Sequence, residues 1–111
     1  MNHVNNVVYL QWVQDVAEAH WTAKTTINIR KRYAWVVVNH FIEYKKSAFE
    51  NEEITLETWV DNYSTVTCER HTNIIRKTDN TLLATAKTLW CLLDKTTGKP
   101  DRITNELKEL F

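Results

Sequence analysis

An α+β domain is predicted, with one long early helix followed by four antiparallel strands, and three observations predict it. Apolar residues between Val4 and about Lys24 recur at helical spacing. Between Tyr33 and Asp94 the chain alternates in four runs of β type. Polar turn residues link those runs consecutively, as hairpins require. With 111 residues the chain can bury one core, and it shows no linker, repeat or low-complexity segment, so residues 1–111 are read as a single domain.

In the helix, Gln11, Gln14, Asp15 and Glu18 fall on one narrow polar arc, while Val8, Tyr9, Leu10, Trp12, Val13, Val16, Ala17 and Ala19 surround the rest. Most of its circumference should therefore be covered by other structure. Thr22 to Thr26 ends the pattern, and Arg30-Lys31-Arg32 reads as a solvated connection. The first strand is expected over Tyr33–Lys46, with Ala34, Val36, Val38, His40, Ile42 and Tyr44 on one face. Ser47–Glu53 turns the chain into a second strand at 54–61, and Asn62-Tyr63-Ser64 turns it again into a third at about 66–77. Lys77–Asn80 supplies a hairpin turn before the fourth strand at 82–94. Strands this long exceed the usual length, so bends or bulges should interrupt them. Thr97-Gly98-Lys99-Pro100 closes the sheet, leaving 105–111 as a short terminal helix or tail.

The 14 basic and 14 acidic residues cancel, so no global field draws the chain to nucleic acid or to anionic lipid. Cys68 and Cys91 lie in strand-like runs without a second pair and are expected to be reduced, buried thiols. There is no charged-then-apolar leader and no apolar run near the roughly 18 residues of a membrane span, so a cytoplasmic protein that does not enter membranes is expected. His40 and His71 sit in strands without acid or Cys at ligand spacing, so neither a metal nor a cofactor is expected. His20, on the apolar side of the helix, is expected to be a hydrogen-bonded interior or interface residue.

Chemistry is expected at His3-Val4-Asn5-Asn6. These residues stand at the mouth of the one long helix, where backbone amides without intrahelical partners meet an imidazole.

That tetrapeptide is followed by Tyr9 and Trp12, then by Ile42-Glu43-Tyr44-Lys45-Lys46, then by Thr88–Asp94 ahead of Thr97-Gly98-Lys99-Pro100. The ordered set resembles the hotdog-fold thioesterases, in the branch joining 4-hydroxybenzoyl-CoA thioesterase-like enzymes to acyl-ACP thioesterases, and it covers essentially the whole chain. The resemblance implies an antiparallel sheet wrapped around a long central helix, with sites formed in a homodimer or a dimer of dimers. It also implies hydrolysis of acyl-CoA or acyl carrier protein thioesters to a free acid and a thiol. Backbone amides of Val4 to Asn6 would polarise the thioester carbonyl. His3 and Asn6 would orient water or the acyl group, with Ser47 as a further polar partner. Val4, Asn5, Tyr9 and Trp12 would contact substrate, and Lys45 and Lys46, together with Arg70 and Lys87, would be candidates for its phosphates.

Members of the family carry an acid, usually Asp, four positions before this His, on a strand leading into the helix. The sequence starts at Met1, two residues before His3. The chain is therefore expected to derive from an internal methionine, to be a shortened form of a longer protein, or to lack the acid. A charged amino terminus beside the positive end of a helix is disfavoured, which favours the first two. Were the chain complete, hydrolysis should be slow or absent, and the rival reading is a non-catalytic hotdog module that binds acyl thioesters or only assembles. A hydratase would need a His-Phe-Pro type of site, which the sequence does not contain.

Overall fold

The computed structural model describes residues 2–111. The amino terminus at Met1, whose charge bears on the expectation above, lies outside the described residues.

Helix α1 (Asn6–Lys24) begins where Asn5 caps it, the side-chain oxygen accepting from the Val7 amide at 2.9 Å. Its last carbonyls are taken up by Arg30, which donates to the Thr22 and Thr25 oxygens. Arg30 belongs to a short helix α2 (Ile27–Arg32) capped by Thr26, so the basic cluster is not the solvated connection the sequence suggests. Three cations in its last turn suit the negative end of the helix.

The sheet follows as β1 (Tyr33–Tyr44), β2 (Ile54–Asp61), β3 (Thr67–Arg76) and β4 (Thr81–Asp94), arranged β1-β4-β3-β2 with every neighbour antiparallel. Helix α3 (Asn105–Lys108) is the last element, with Leu107 buried. Three turn asparagines, Asn51, Asn62 and Asn80, take left-handed φ values of 68°, 49° and 57°, which Asn tolerates better than most residues. Gly98 holds φ 70° in the turn after β4, where Asp94 accepts from the amides of Thr96 and Thr97.

Two irregularities aim the side chains. Between Val37 and Asn39 the β1/β4 register slips, leaving Val38 as an extra residue. The inward set is therefore Tyr33, Trp35 and Val37 before the bulge and His40, Ile42 and Tyr44 after it. The single face expected from Ala34 to Tyr44 breaks in two, because a one-residue insertion exchanges the faces. A second slip leaves Leu83 extra on β4, and its carbonyl accepts from both Lys45 N at 2.8 Å and Lys46 N at 3.1 Å.

The sheet curls around α1, but this chain covers only the stripe Tyr9, Val13 and Ala17, spaced four apart, and leaves Val7 and Val8 exposed. Coverage around most of the circumference, as the helix composition suggests, is not supplied within the one chain. Two apolar clusters lie between helix and sheet. One gathers Tyr9, Val13, Ala48, Ile74, Leu83, Ala84 and Ala86 near the start of α1. The other gathers Tyr33, Cys68, Leu92, Ile103 and Leu107 near its end. Between them a polar belt crosses all four strands. His40 bonds Thr88 at 2.8 Å, Thr88 pairs in register with Arg70, Arg70 donates to Thr58 at 2.9 Å, and Thr58 contacts Thr72 at 3.4 Å.

Candidate active-site cleft

The first apolar cluster floors a cleft of about 510 Å³ lined by His3, Val4, Asn5, Asn6, Tyr9, Tyr44, Lys45, Lys46 and Ser47. Its two walls come from distant parts of the sequence and are joined by backbone hydrogen bonds. Val4 N donates to Ala48 O at 2.9 Å, Glu50 N donates to Asn2 O at 3.0 Å, and His3 bridges Phe49. The His3 ring stands edge-on to Phe49 at 4.8 Å, which restricts it without using its nitrogens.

Beneath them, the Tyr9 hydroxyl accepts from the Ala48 amide at 2.8 Å. Tyr9 is only 2% exposed, so its ring is core first and cleft floor second. The loop after Ser47 is held from the other side by Arg76, which donates to the Ser47 carbonyl at 3.0 Å and pairs with Glu52 at 2.6 Å. Glu52 in turn accepts from the Phe49 amide. Ser47 is thus positioned through its backbone, leaving its hydroxyl at the cleft.

Several sequence-based assignments need correction. The Val4 amide is spent on Ala48, so it cannot polarise a carbonyl. The amides of Asn5 and Asn6 make no hydrogen bond within the described residues and remain available at the helix mouth. Trp12 does not line the cleft; it leans edge-on against Tyr9 at 5.3 Å and packs on the first cluster. Arg70, expected as a candidate for the substrate's phosphates, does not border the cleft but faces inward, 6% exposed, within the polar belt. Lys87 lies on the outer face of the sheet, opposite Phe41 and His71. Lys45 and Lys46 do border the cleft, with Lys45 also paired to Glu43 at 2.8 Å. That contact draws the Glu43 pKa below its ordinary value, chiefly through the hydrogen bond from Lys45.

Tyr44, named from the sequence as a strand residue within the run Ile42–Lys46 but not as a site residue, borders the cleft and meets Tyr9 edge-on at 5.3 Å. Its place at the end of an aromatic-rich strand directly before Lys45-Lys46-Ser47 was the available signal. Nothing in the spacing pointed to Ala48 and Phe49, whose role depends on long-range pairing. Among the described residues no carboxylate lines the cleft.

His71 departs from the expectation that no acid stands near it. Its Nε2 lies 2.7 Å from Asp61 and 3.7 Å from Glu69, since β2/β3 pairing brings all three together on the outer face, and its ring stacks on Trp59. The two cysteines are free and buried, and burial pushes the Cys68 thiol up to about 11. Among the described residues no helix is long and apolar enough to cross a membrane.

Solved structures share this architecture. YbaW, a probable thioesterase from Escherichia coli, superposes with a TM-score of 0.85 at 22% identity, covering 98% of this chain and 84% of that one. A DHNA-CoA thioesterase from Staphylococcus aureus gives 0.82 at 24% identity, over 99% and 77%. A hypothetical protein from the same organism, solved in complex with CoA, gives 0.86 at 14% identity, over 99% and 71%. At these identities the likeness establishes the fold, which is the hotdog fold. Among curated proteins none matches the sequence. The family model of the thioesterase-like superfamily matches residues 1–111, and the chain belongs to that superfamily.

Proposed function

We propose that the protein hydrolyses acyl thioesters carried on CoA or on acyl carrier protein, and that it does so as a homo-oligomer. The observation that carries the reading is the cleft itself, in which the unpaired amides of Asn5 and Asn6 meet His3, Ser47 and two lysines. Superfamily membership supports thioester hydrolysis in general, and the CoA bound to one structural neighbour supports a CoA-type substrate.

In the reaction, water adds to the thioester carbonyl carbon, the C–S bond breaks, and the water proton ends on the departing sulfur. Negative charge develops on the carbonyl oxygen, where helix-mouth amides stabilise it without having to reorganise. His3 and the Asn6 side chain orient the water, Ser47 offers a hydroxyl across the cleft, and Val4, Asn5 and Tyr9 bound the acyl end. Lys45 and Lys46 meet the phosphates of the carrier arm.

One observation favours a second reading. No carboxylate lines the cleft among the described residues, and a cleft that offers no carboxylate as nucleophile or base suits a module that binds acyl thioesters without cleaving them. A thiol-release assay across a panel of acyl-CoAs, paired with equilibrium binding, separates the two. Hydrolysis that falls at least tenfold in Asn6→Ala and His3→Ala is expected. Binding without release, on this chain and on a form extended before Met1, would establish the module instead.

A further inference from the structure

At the far end of α1 a second cavity, about 430 Å³, opens beyond the polar belt, and its walls include Trp21, Trp35, Tyr63, Cys68, Arg70 and Trp90. Its volume falls in the range that holds one small molecule. Along α1 the cleft's lining reaches Tyr9 and the cavity's begins at Gln14, about 7.5 Å further at the usual helical rise. The fully buried Val13, which lines neither, stands between them.

The cavity is aromatic but not neutral. Arg70 is buried on β3, and among the described residues its side chain hydrogen-bonds only from one terminal nitrogen, to Thr58 at 2.9 Å and to His20 Nδ1 at 3.0 Å. A guanidinium has five N–H donors and does not lose its charge in proteins. Among the described residues no carboxylate lies within ion-pair distance of it. Its neighbours cannot supply the missing charge. Since Arg only donates, His20 accepts through Nδ1 and is neutral there, and the Cys68 thiol, at about 11, stays protonated. Glu18, the one carboxylate in the cavity wall among the described residues, is exposed and makes no ion pair with Arg70.

Two donors in the same wall are unsatisfied: the Tyr63 hydroxyl and the Trp90 indole N–H are buried without a hydrogen-bond partner among the described residues. A buried cation without a counter-ion and buried donors without acceptors are each costly, and a protein retains them together where something else completes them. A planar oxyanion on an apolar body answers both needs, because a carboxylate accepts from the guanidinium fork while the body replaces water against the tryptophans.

We infer that this cavity is a binding site for an apolar monocarboxylic acid, held with its carboxylate against Arg70 and its hydrocarbon or aromatic body among Trp21, Trp35 and Trp90. Such an acid is the chemical class that thioester hydrolysis releases, but the inference stands on Arg70 and its surroundings and does not require the cleft to be catalytic.

Titration of the protein with 4-phenylbutyrate and with its neutral amide, read by tryptophan fluorescence, tests the site. Saturable binding of the acid, at least tenfold tighter than of the amide, is expected. That preference should disappear in Arg70→Met, be partly kept in Arg70→Lys, and persist in Asn6→Ala. Equal affinity for acid and amide, or no saturable binding, would overturn the inference on the unmodified protein, whether or not the Arg70 variants fold. Loss of acid binding in Asn6→Ala would overturn it too, by moving the acid to the cleft.

Discussion

At His20 one proton decides whether its contact with Arg70 holds. Its Nδ1 accepts from Arg70 at 3.0 Å, an arrangement that only the neutral ring permits. Burial lowers its pKa below the ordinary value of about 6.5, and the charges of Arg70 and Lys24 push the same way. The ring of Phe111, edge-on at 4.9 Å, adds no counter-charge. His40, hydrogen-bonded to Thr88, is also lowered, by burial. Below about pH 6.5 the unfolded chain therefore binds protons that the folded chain refuses, so stability is fully present above that pH and declines as pH falls through the folded-state values. Thermal melts between pH 7.5 and 5 should show the wild-type midpoint falling more steeply than that of His20→Gln, by roughly a few degrees for a domain of this size. Parallel slopes would show that His20 does not carry the dependence. The sequence predicts a hydrogen-bonded interior or interface His20, and the bond to Arg70 bears that out, but the partner was not legible, because Arg70 read as a candidate for substrate phosphates on a distant strand.

Strand ends rather than strand middles build the cleft. Lys45 and Lys46 leave β1 anchored by the Leu83 carbonyl, so their side chains can be removed without disturbing the backbone that places Ser47. Changing both to Ala should raise KM for acyl-CoA roughly three- to tenfold, as expected for exposed charge contacts, and change kcat less than twofold. An unchanged KM would remove the two lysines from the phosphate path. The long helix through Asn6–Lys24 and all four strands were legible from periodicity and polar turns, whereas α2 was not, its basic residues reading as a solvated connection. The meeting of His3 to Asn6 with Lys45 to Ser47 was anticipated through the family resemblance, since each half is too short and too polar to advertise a partner. The bulge at Val38 was not legible, because Val36-Val37-Val38 offers an apolar side chain to either face and conceals the slip. The Asp61–Glu69–His71 cluster was missed for a related reason, as cross-strand register brings together residues that linear spacing keeps apart.

The whole molecule is elongated, measuring 48 × 23 × 22 Å, and its radius of gyration of 15.4 Å exceeds the roughly 13 Å usual for a chain of this length. β1 forms one edge of the sheet and is its least covered strand, with Val36, Val38 and Phe41 exposed, Phe41 by 63%. A long edge of this kind invites another strand unless something covers it. The exposed Val7 and Val8 leave α1 similarly short of partners at the cleft end. A second copy pairing β1 with β1 in antiparallel register would use the free edge and bury the valines, and twofold symmetry would make both sites alike. The protein should therefore run as a dimer in light scattering coupled to size exclusion, while Val38→Lys combined with Phe41→Lys should shift the mass to that of a monomer. Both side chains are more than half exposed in the single chain, so the variant should keep its circular dichroism spectrum. A dimer that survives the double change would place the interface elsewhere, and a wild-type monomer would show that the free edge is tolerated. If the monomeric variant also loses thiol release while still folded, the cleft needs a partner's residues, which would account for a hydrolase whose own described cleft lacks a carboxylate.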